Sequence, residues 1–539
     1  MRARPVFSLS ALGTTLLVAS AASAATLTVG PSGTYSTPCA AIAAASTGDT
    51  VQVSPGASSY TDSCAINVDG LTLVGVGGRP VIDLSGTQDP ADDKGIYVVN
   101  GSGVTIENLE LTGANVDLND GLNGAALRVQ GTGLTVRDCY IHDNQDGILA
   151  TATAAGSTIT VEYTEFSHNG LGAGCDNGGC THNIYLGTGA GGDFETFVFA
   201  FNWSHDIADD TADKGHLVKT RAQNNYILYN ALLGETGHDS IELDIPNGGF
   251  SVVVGNILEK GPSCDDNPNL LSYGEEGLSN PEARLYVVNN TFVSDYTSAA
   301  TFISVASGAA LVAHNNLFNG SGTPISTGTL SPDNLWSDDP MFVAPTTYDY
   351  HLQAGSPAIG QGVAPGSAGT FSLTPEYEYV QPTESVVRAV GSALDLGAFQ
   401  YGTVVADAGQ TITVSIGDGG TPSLPDAGAG TGTGTGTGKG TGTGTGTGAG
   451  TGSESGSAAA TGATHGASSG ASHRGDAGTR LTDGGRRSSV DASSPSSGSS
   501  GGCSCSVGAP ASTFAGLWAG LVIVAQAFAR RRRAQAERR

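Results

Sequence analysis

Short β-branched runs recur about every thirty residues, each closes on a polar corner residue, and each repeat carries a second short strand. Together these predict an all-β solenoid of about ten coils, its parallel sheets wound into a helix. The runs are VTIENLEL, LTVRDCYI, ITVEYTEF, FVFAFNWS, YILYNALL, VVVGNILE, YVVNNTFV and LVAHNNLF. With Asn108, Asp138, Thr164, Phe201, Asn230, Asn256, Asn290 and Asn316 as corner markers, the steps are 30, 26, 37, 29, 26, 34 and 26 residues. A helical repeat of fixed length does not tolerate that scatter, whereas a β-solenoid places it in loops on one side. The second strands are GIYVVNG, AALRVQG, HNIYLGT, HLVKTRA, SIELDIP, NLLSYGE and TFISVAS. Coils stacked about 4.8 Å apart let corner asparagines bond to the turn above and below, which a sandwich of antiparallel sheets does not call for.

The elements follow in chain order. Arg2 and Arg4, the apolar stretch Ala11 to Ala22 and the small-residue site Ala22-Ser23-Ala24 form a secretory signal, residues 1–24, so the mature chain should begin near Ala25. Residues 25–402 are the solenoid. Residues 403–502 contain no Phe, Trp or Tyr and include a Gly-Thr repeat, a composition that cannot offset its ordering entropy; it predicts a disordered tether spanning about 50 to 60 Å. The segment 503–539 carries Cys503 and Cys505, an apolar helix at 509–529 long enough to cross a membrane, and the cluster Arg530 to Arg533, which should stay cytoplasmic. This order of parts resembles the myxobacterial C-terminal sorting tail (MYXO-CTERM type), and the resemblance implies an exported protein anchored at the cell surface by its C-terminal tail.

From Ala25 to Gly402 the sequence resembles the bacterial right-handed parallel β-helix proteins of the pectate-lyase-like superfamily. The opening AAIAAASTGDTVQVSPG is similar to that family's short capping helix and first coil, and DDPMFVAPTTYDYHLQAGSPAIGQG with LDLGAFQYG looks like its C-terminal cap. The superfamily hosts lyases, hydrolases and non-catalytic binding proteins, so fold alone does not choose among them. The formal charge of −27 argues against nucleic acid or an anionic lipid surface as the main partner. Six cysteines lie between 25 and 402, and export favours disulfides; proximity suggests Cys39 with Cys64 and Cys175 with Cys180.

The loops before the second strands are long in four consecutive coils, and insertions clustered on one edge of a solenoid often wall a binding groove. With Ile184, Val218, Ile241 and Leu271 inward, the outward column reads Tyr185, Lys219, Glu242 and Ser272, and its neighbour Gly187, Arg221 and Asp244. Lys219 should then lie over Glu242 and Arg221 over Asp244, each 23 residues on. One reading is an exposed ladder of ion pairs. The sharper one is an acidic-sugar site, where Lys219 and Arg221 neutralise a uronate carboxylate and a lysine of lowered pKa removes the C5 proton, a β-elimination.

A glycoside hydrolase would instead use a carboxylate pair, Glu242 with Asp244 or Glu275 with Glu276. Tyr185, His182, His216 and Glu275 are candidate sugar contacts. Asp209, Asp210 and Asp213 place several hard oxygens in one loop and could hold calcium. His142, His168 and His205 each follow a marker by four residues and are expected to stack along one corner. The leading function is a monomer that acts on or binds acidic polysaccharide or cell-surface glycan. The alternative is a non-catalytic carbohydrate-binding or adhesive surface protein.

Overall fold

The computed structural model describes residues 23–424 apart from 87–89, 118–119, 152–155, 171–181, 188–194, 209–214, 265–266, 390, 392, 404–414 and 417–421. The signal, tether and tail segments therefore lie outside the described residues almost entirely. Among the described residues no helix is long and apolar enough to cross a membrane.

Each coil contributes one strand to each of three sheets, and each strand pairs in parallel with its counterpart in the next coil. The first sheet has eleven strands, from Thr26–Val29 to Ala310–His314; the second and third have ten each. Side chains alternate along the strands. One set fills a continuous interior of Val, Ile, Leu and Phe, including Ile184, Val218, Leu243 and Leu271 at successive levels. The N-terminus is closed by the helix Pro38–Ile42, which has Pro at its start and Thr37 as N-cap, the Thr37 hydroxyl accepting from the Ala40 N–H. A disulfide joins Cys39 in this helix to Cys64 on the first strand of the third sheet, with Cα atoms 5.8 Å apart. Cys175 and Cys180 lie outside the described residues.

Asn202, Asn230, Asn256, Asn290, Asn316 and Asn334 form one buried to part-buried ladder at the corner between the first and second sheets. From Asn230 onward, each side-chain carbonyl accepts from the backbone N–H and the amide of the asparagine one coil before it, at 2.8 to 3.1 Å. The expected corner role of Asn230, Asn256, Asn290 and Asn316 is therefore observed. The other markers need correction. Asn108, Asp138 and Phe201 belong to the preceding column, whose members hold positive φ of 52°, 53° and 59°, while Thr164 stands in the ladder itself, donating its backbone N–H to Asn202. The markers therefore mixed two adjacent columns, because Asn and Asp suit both the left-handed turn and the ladder, while Phe201 directly precedes the ladder's Asn202.

The C-terminal segment expected as a cap runs back along the solenoid as a strap. Ala368, Phe371, Leu373 and Tyr377 cover the outer face of the first sheet over Tyr163, Phe201 and Tyr229. Phe342, Tyr350, Leu352 and Phe399 cover the second sheet over Leu233, Ile257 and Val293. Its reach extends to Tyr163, whose hydroxyl lies 3.1 Å from the Ser385 hydroxyl. Neither apolar cluster of the strap includes a residue of the third sheet.

Candidate functional site

The third sheet's outer face carries the column Tyr185, Lys219, Asp244 and Ser272. Lys219 thus pairs with Asp244, 25 residues on, and the expected partner Glu242 lies before the strand Leu243–Ile245 begins. The error is a slip of two. Ile241, Leu243 and Ile245 share one parity, so hydrophobic alternation was satisfied by either register.

Lys219 and Arg221 face outward yet are nearly covered, at 5% and 2% exposure, so the expected exposed ion ladder is overturned. The Lys219 ammonium lies 2.8 Å from Asp244 Oδ2 and 3.3 Å from Glu276 Oε1. Arg221 does not meet Asp244 in the expected stack. Its guanidinium grips both oxygens of Glu276, at 2.8 and 2.9 Å, and donates to the Asn247 side chain at 2.6 Å and the Tyr185 hydroxyl at 3.1 Å. Gly187 makes room for it, since a Cβ there would meet Arg221 Cβ at 2.7 Å. Tyr185 lies under both cations, 5.8 Å from the Lys219 ammonium and 5.5 Å from the guanidinium carbon.

Two histidines close the column's edge. The His182 and His216 rings stack at 4.9 Å, and the His216 backbone N–H donates to His182 Nδ1 at 2.9 Å, so that nitrogen carries no proton. Burial, then Lys219, hold both imidazoles well below their usual pKa. Burial would lower the Lys219 pKa, but Asp244 and Glu276 outweigh it and hold the ammonium charged. Burial raises the Asp244 carboxyl. Glu275, on the exposed turn beside Ser272, accepts from its hydroxyl at 2.8 Å. Glu276 is lowered: Arg221 and Lys219 overcome its own desolvation.

Glu242 belongs elsewhere. It pairs with Lys260 at 3.0 Å, both fully buried, in a corner cluster with Asp239 and Cys264. Lys260 shares the parity of the interior residue Leu258, a position at which sequence patterning calls for an apolar side chain. Asp209, Asp210 and Asp213 lie outside the described residues. The three expected stacking histidines do not share a column, since His142 pairs with Ser167 and His168 is one position beyond. Asn247 and the pairing of Glu276 with Arg221 were missed, because both arise from turns whose path no periodicity specifies.

Residues 89–232 match a family model described as "Right handed beta helix region". The fold is a right-handed parallel β-helix. Among solved structures, the chain is similar to pectate lyase Pel9A, at 16% identity and a TM-score of 0.40, over 70% of this chain and 97% of that one. It is also similar to the pectin methylesterase from Aspergillus niger, at 14% identity and a TM-score of 0.23, over 59% and 84%. No curated protein matches the chain in sequence.

Proposed function

We propose that this protein is exported, held at the cell surface by its C-terminal tail, and binds an acidic polysaccharide as a monomer across the outer face of the third sheet. The observation that carries the reading is the two-pronged grip of Arg221 on Glu276, with Tyr185 alongside. That is the geometry by which a guanidinium recognises any carboxylate, and a uronate can take the place of Glu276. Glu276 sits on a turn bounded by Gly274 and Gly277, both at positive φ, and is partly exposed beside the cations, whereas Asp244 is fully buried.

Elimination is the chemistry we assign to the occupied site. Once a uronate takes the place of Glu276 on Arg221, Lys219 keeps its contact with Asp244, whose burial favours the protonated acid. A proton passed from Lys219 to Asp244 leaves a neutral amine that takes the C5 proton; the C5–H electron pair forms the C4=C5 double bond as the C4–O glycosidic bond breaks, and the leaving oxygen takes a proton from water, while Arg221 withdraws charge from the sugar carboxylate. A second reading, non-catalytic binding, is favoured by the resting network, in which two carboxylates keep Lys219 charged. Asp209, Asp210 and Asp213, just before the Lys219 strand in sequence, are our proposed calcium ligands, and a chelator should weaken polymer binding if they serve it.

The test is a glycan array probed with the full chain, followed by ultraviolet absorbance for unsaturated uronate on each hit. Glu276→Ala should tighten uronate binding by freeing Arg221, and Arg221→Lys should abolish it. Binding weakened by Glu276→Ala, or no uronate polymer bound at all, sinks the proposal; binding without unsaturated product selects the non-catalytic reading. Deleting Cys503 to Arg539 should release the protein into the medium, and a truncated form that stays with the membrane refutes the anchoring.

A further inference from the structure

On the outer face of the second sheet, away from the column just described, His205 ends the strand Trp203–His205 with its side chain about nine-tenths buried. Neither ring nitrogen makes a hydrogen bond. Nδ1 faces Asp206 Oδ2 at 3.4 Å and Glu235 Oε2 at 3.6 Å, and Nε2 faces Glu165 Oε1 at 3.5 Å. Charged N–H···O bonds close to about 2.7 to 2.9 Å, so these contacts are too long to be the bonds such a cluster would form for its own sake. The two contacts at Nδ1 match a different geometry. Ligand atoms bound tetrahedrally at about 2.0 to 2.1 Å from one zinc ion lie roughly 3.3 to 3.4 Å from each other.

The surroundings hold the two carboxylates in place. Asp206 spends its other oxygen, Oδ1, on the Thr236 N–H and hydroxyl at 3.2 and 3.3 Å. Glu235 Oε1 is buried and unpartnered, and the Glu235 backbone N–H is anchored on Glu259 at 2.9 Å. The Trp203 ring stacks on the imidazole at 3.8 Å and 8°, setting its plane. Glu165 faces the second ring nitrogen, the place where a carboxylate commonly orients a metal-bound histidine. Three carboxylates around one imidazole leave a negative site, which a divalent cation neutralises better than a single proton does.

We propose that His205 Nδ1, Asp206 Oδ2 and Glu235 Oε2 bind one zinc ion, with a fourth position open to water. Two of the ligands come from one coil and the third from the next, so the ion ties neighbouring coils together where the loops leave the second sheet. Nitrogen and hard oxygen with no thiolate suit zinc among the divalent transition metals, and too few oxygens converge for calcium.

The full chain, stripped with chelator and then titrated with zinc in a calorimeter, should bind one equivalent that is lost in both His205→Ala and the near-isosteric Glu235→Gln. His142→Ala, on the same face but outside the site, should keep it. Zinc should raise the melting temperature of the parent, and calcium should not do so through this site. Cobalt(II) in place of zinc should show tetrahedral visible absorption in the parent and lose it in Glu235→Gln. Circular dichroism of Glu235→Gln separates loss of the site from loss of the fold. Zinc uptake unchanged in a folded Glu235→Gln, or no uptake by the parent, overturns the proposal and leaves His205 as an ion-paired imidazolium.

Discussion

Lys219 and Arg221 show how far burial changes the worth of an ion pair. An exposed pair contributes about 0 to 1 kcal/mol. These two are almost fully covered and share Glu276, so removing one member strands charge away from water. Lys219→Ala should therefore destabilise the protein by about 3 to 5 kcal/mol in urea unfolding, while Lys219→Met combined with Asp244→Leu should cost much less. A pH effect is predicted on the second sheet. Burial lifts the Glu259 carboxyl to about 8, so the native state holds a proton there that the unfolded chain releases near 4.3. Stability from this group is full below about 4.3 and falls as pH rises through 8. Glu259→Gln should match the parent at pH 4 and exceed it by a few kcal/mol at pH 8, measured by denaturant midpoints. Equal midpoints at pH 8 would show that Glu259 ionises freely.

The asparagine ladder is the element that sets coil spacing. Asn256 receives two bonds from Asn230 and gives its own amide to the Ile227 and Val254 carbonyls and to Asn290. Asn256→Leu leaves buried donors and acceptors on both neighbouring coils, each costing about 1 to 3 kcal/mol. Asn334, at the end of the ladder and only part-buried, carries no further asparagine bonded to it on the C-terminal side among the described residues, so Asn334→Leu should cost clearly less. Paired unfolding curves test the ranking, and equal losses would deny the ladder any cooperative role.

At the scale of the whole molecule, a solenoid makes contacts only between neighbouring coils, so its ends and its outer faces need separate protection. The Cys39–Cys64 bond closes a loop of 25 residues at the N-terminal end, and its loss should cost about 3 to 4 kcal/mol on the chain-entropy estimate. The strap protects the faces. Truncation before Phe342 should expose Tyr229, Leu233 and Val293 together, giving strong binding of a hydrophobic dye and aggregation seen by light scattering. A soluble, dye-silent truncation would mean that the outer faces need no cover.

The parallel solenoid, its Asn230 to Asn316 corner and the Cys39–Cys64 pair were legible in the sequence, because alternation, recurrence and proximity are properties of the chain itself. Lys219, Arg221, Asp244, Tyr185, His182 and His216 were legible as a group for the same reason: they lie on, or within two residues of, neighbouring strands of one sheet. Their partners were not. The register between Lys219 and Asp244 was undetermined, because a slip of two keeps every apolar residue inside. The grip of Arg221 on Glu276 depends on the path of a turn, the burial of Glu242 on Lys260 breaks the apolar rule at an interior position, and the strap's route depends on which outer faces are apolar once the coils have formed. Periodic contacts repeat in the chain and can be counted there; contacts between a turn or a returning segment and a finished surface exist only after that surface has folded.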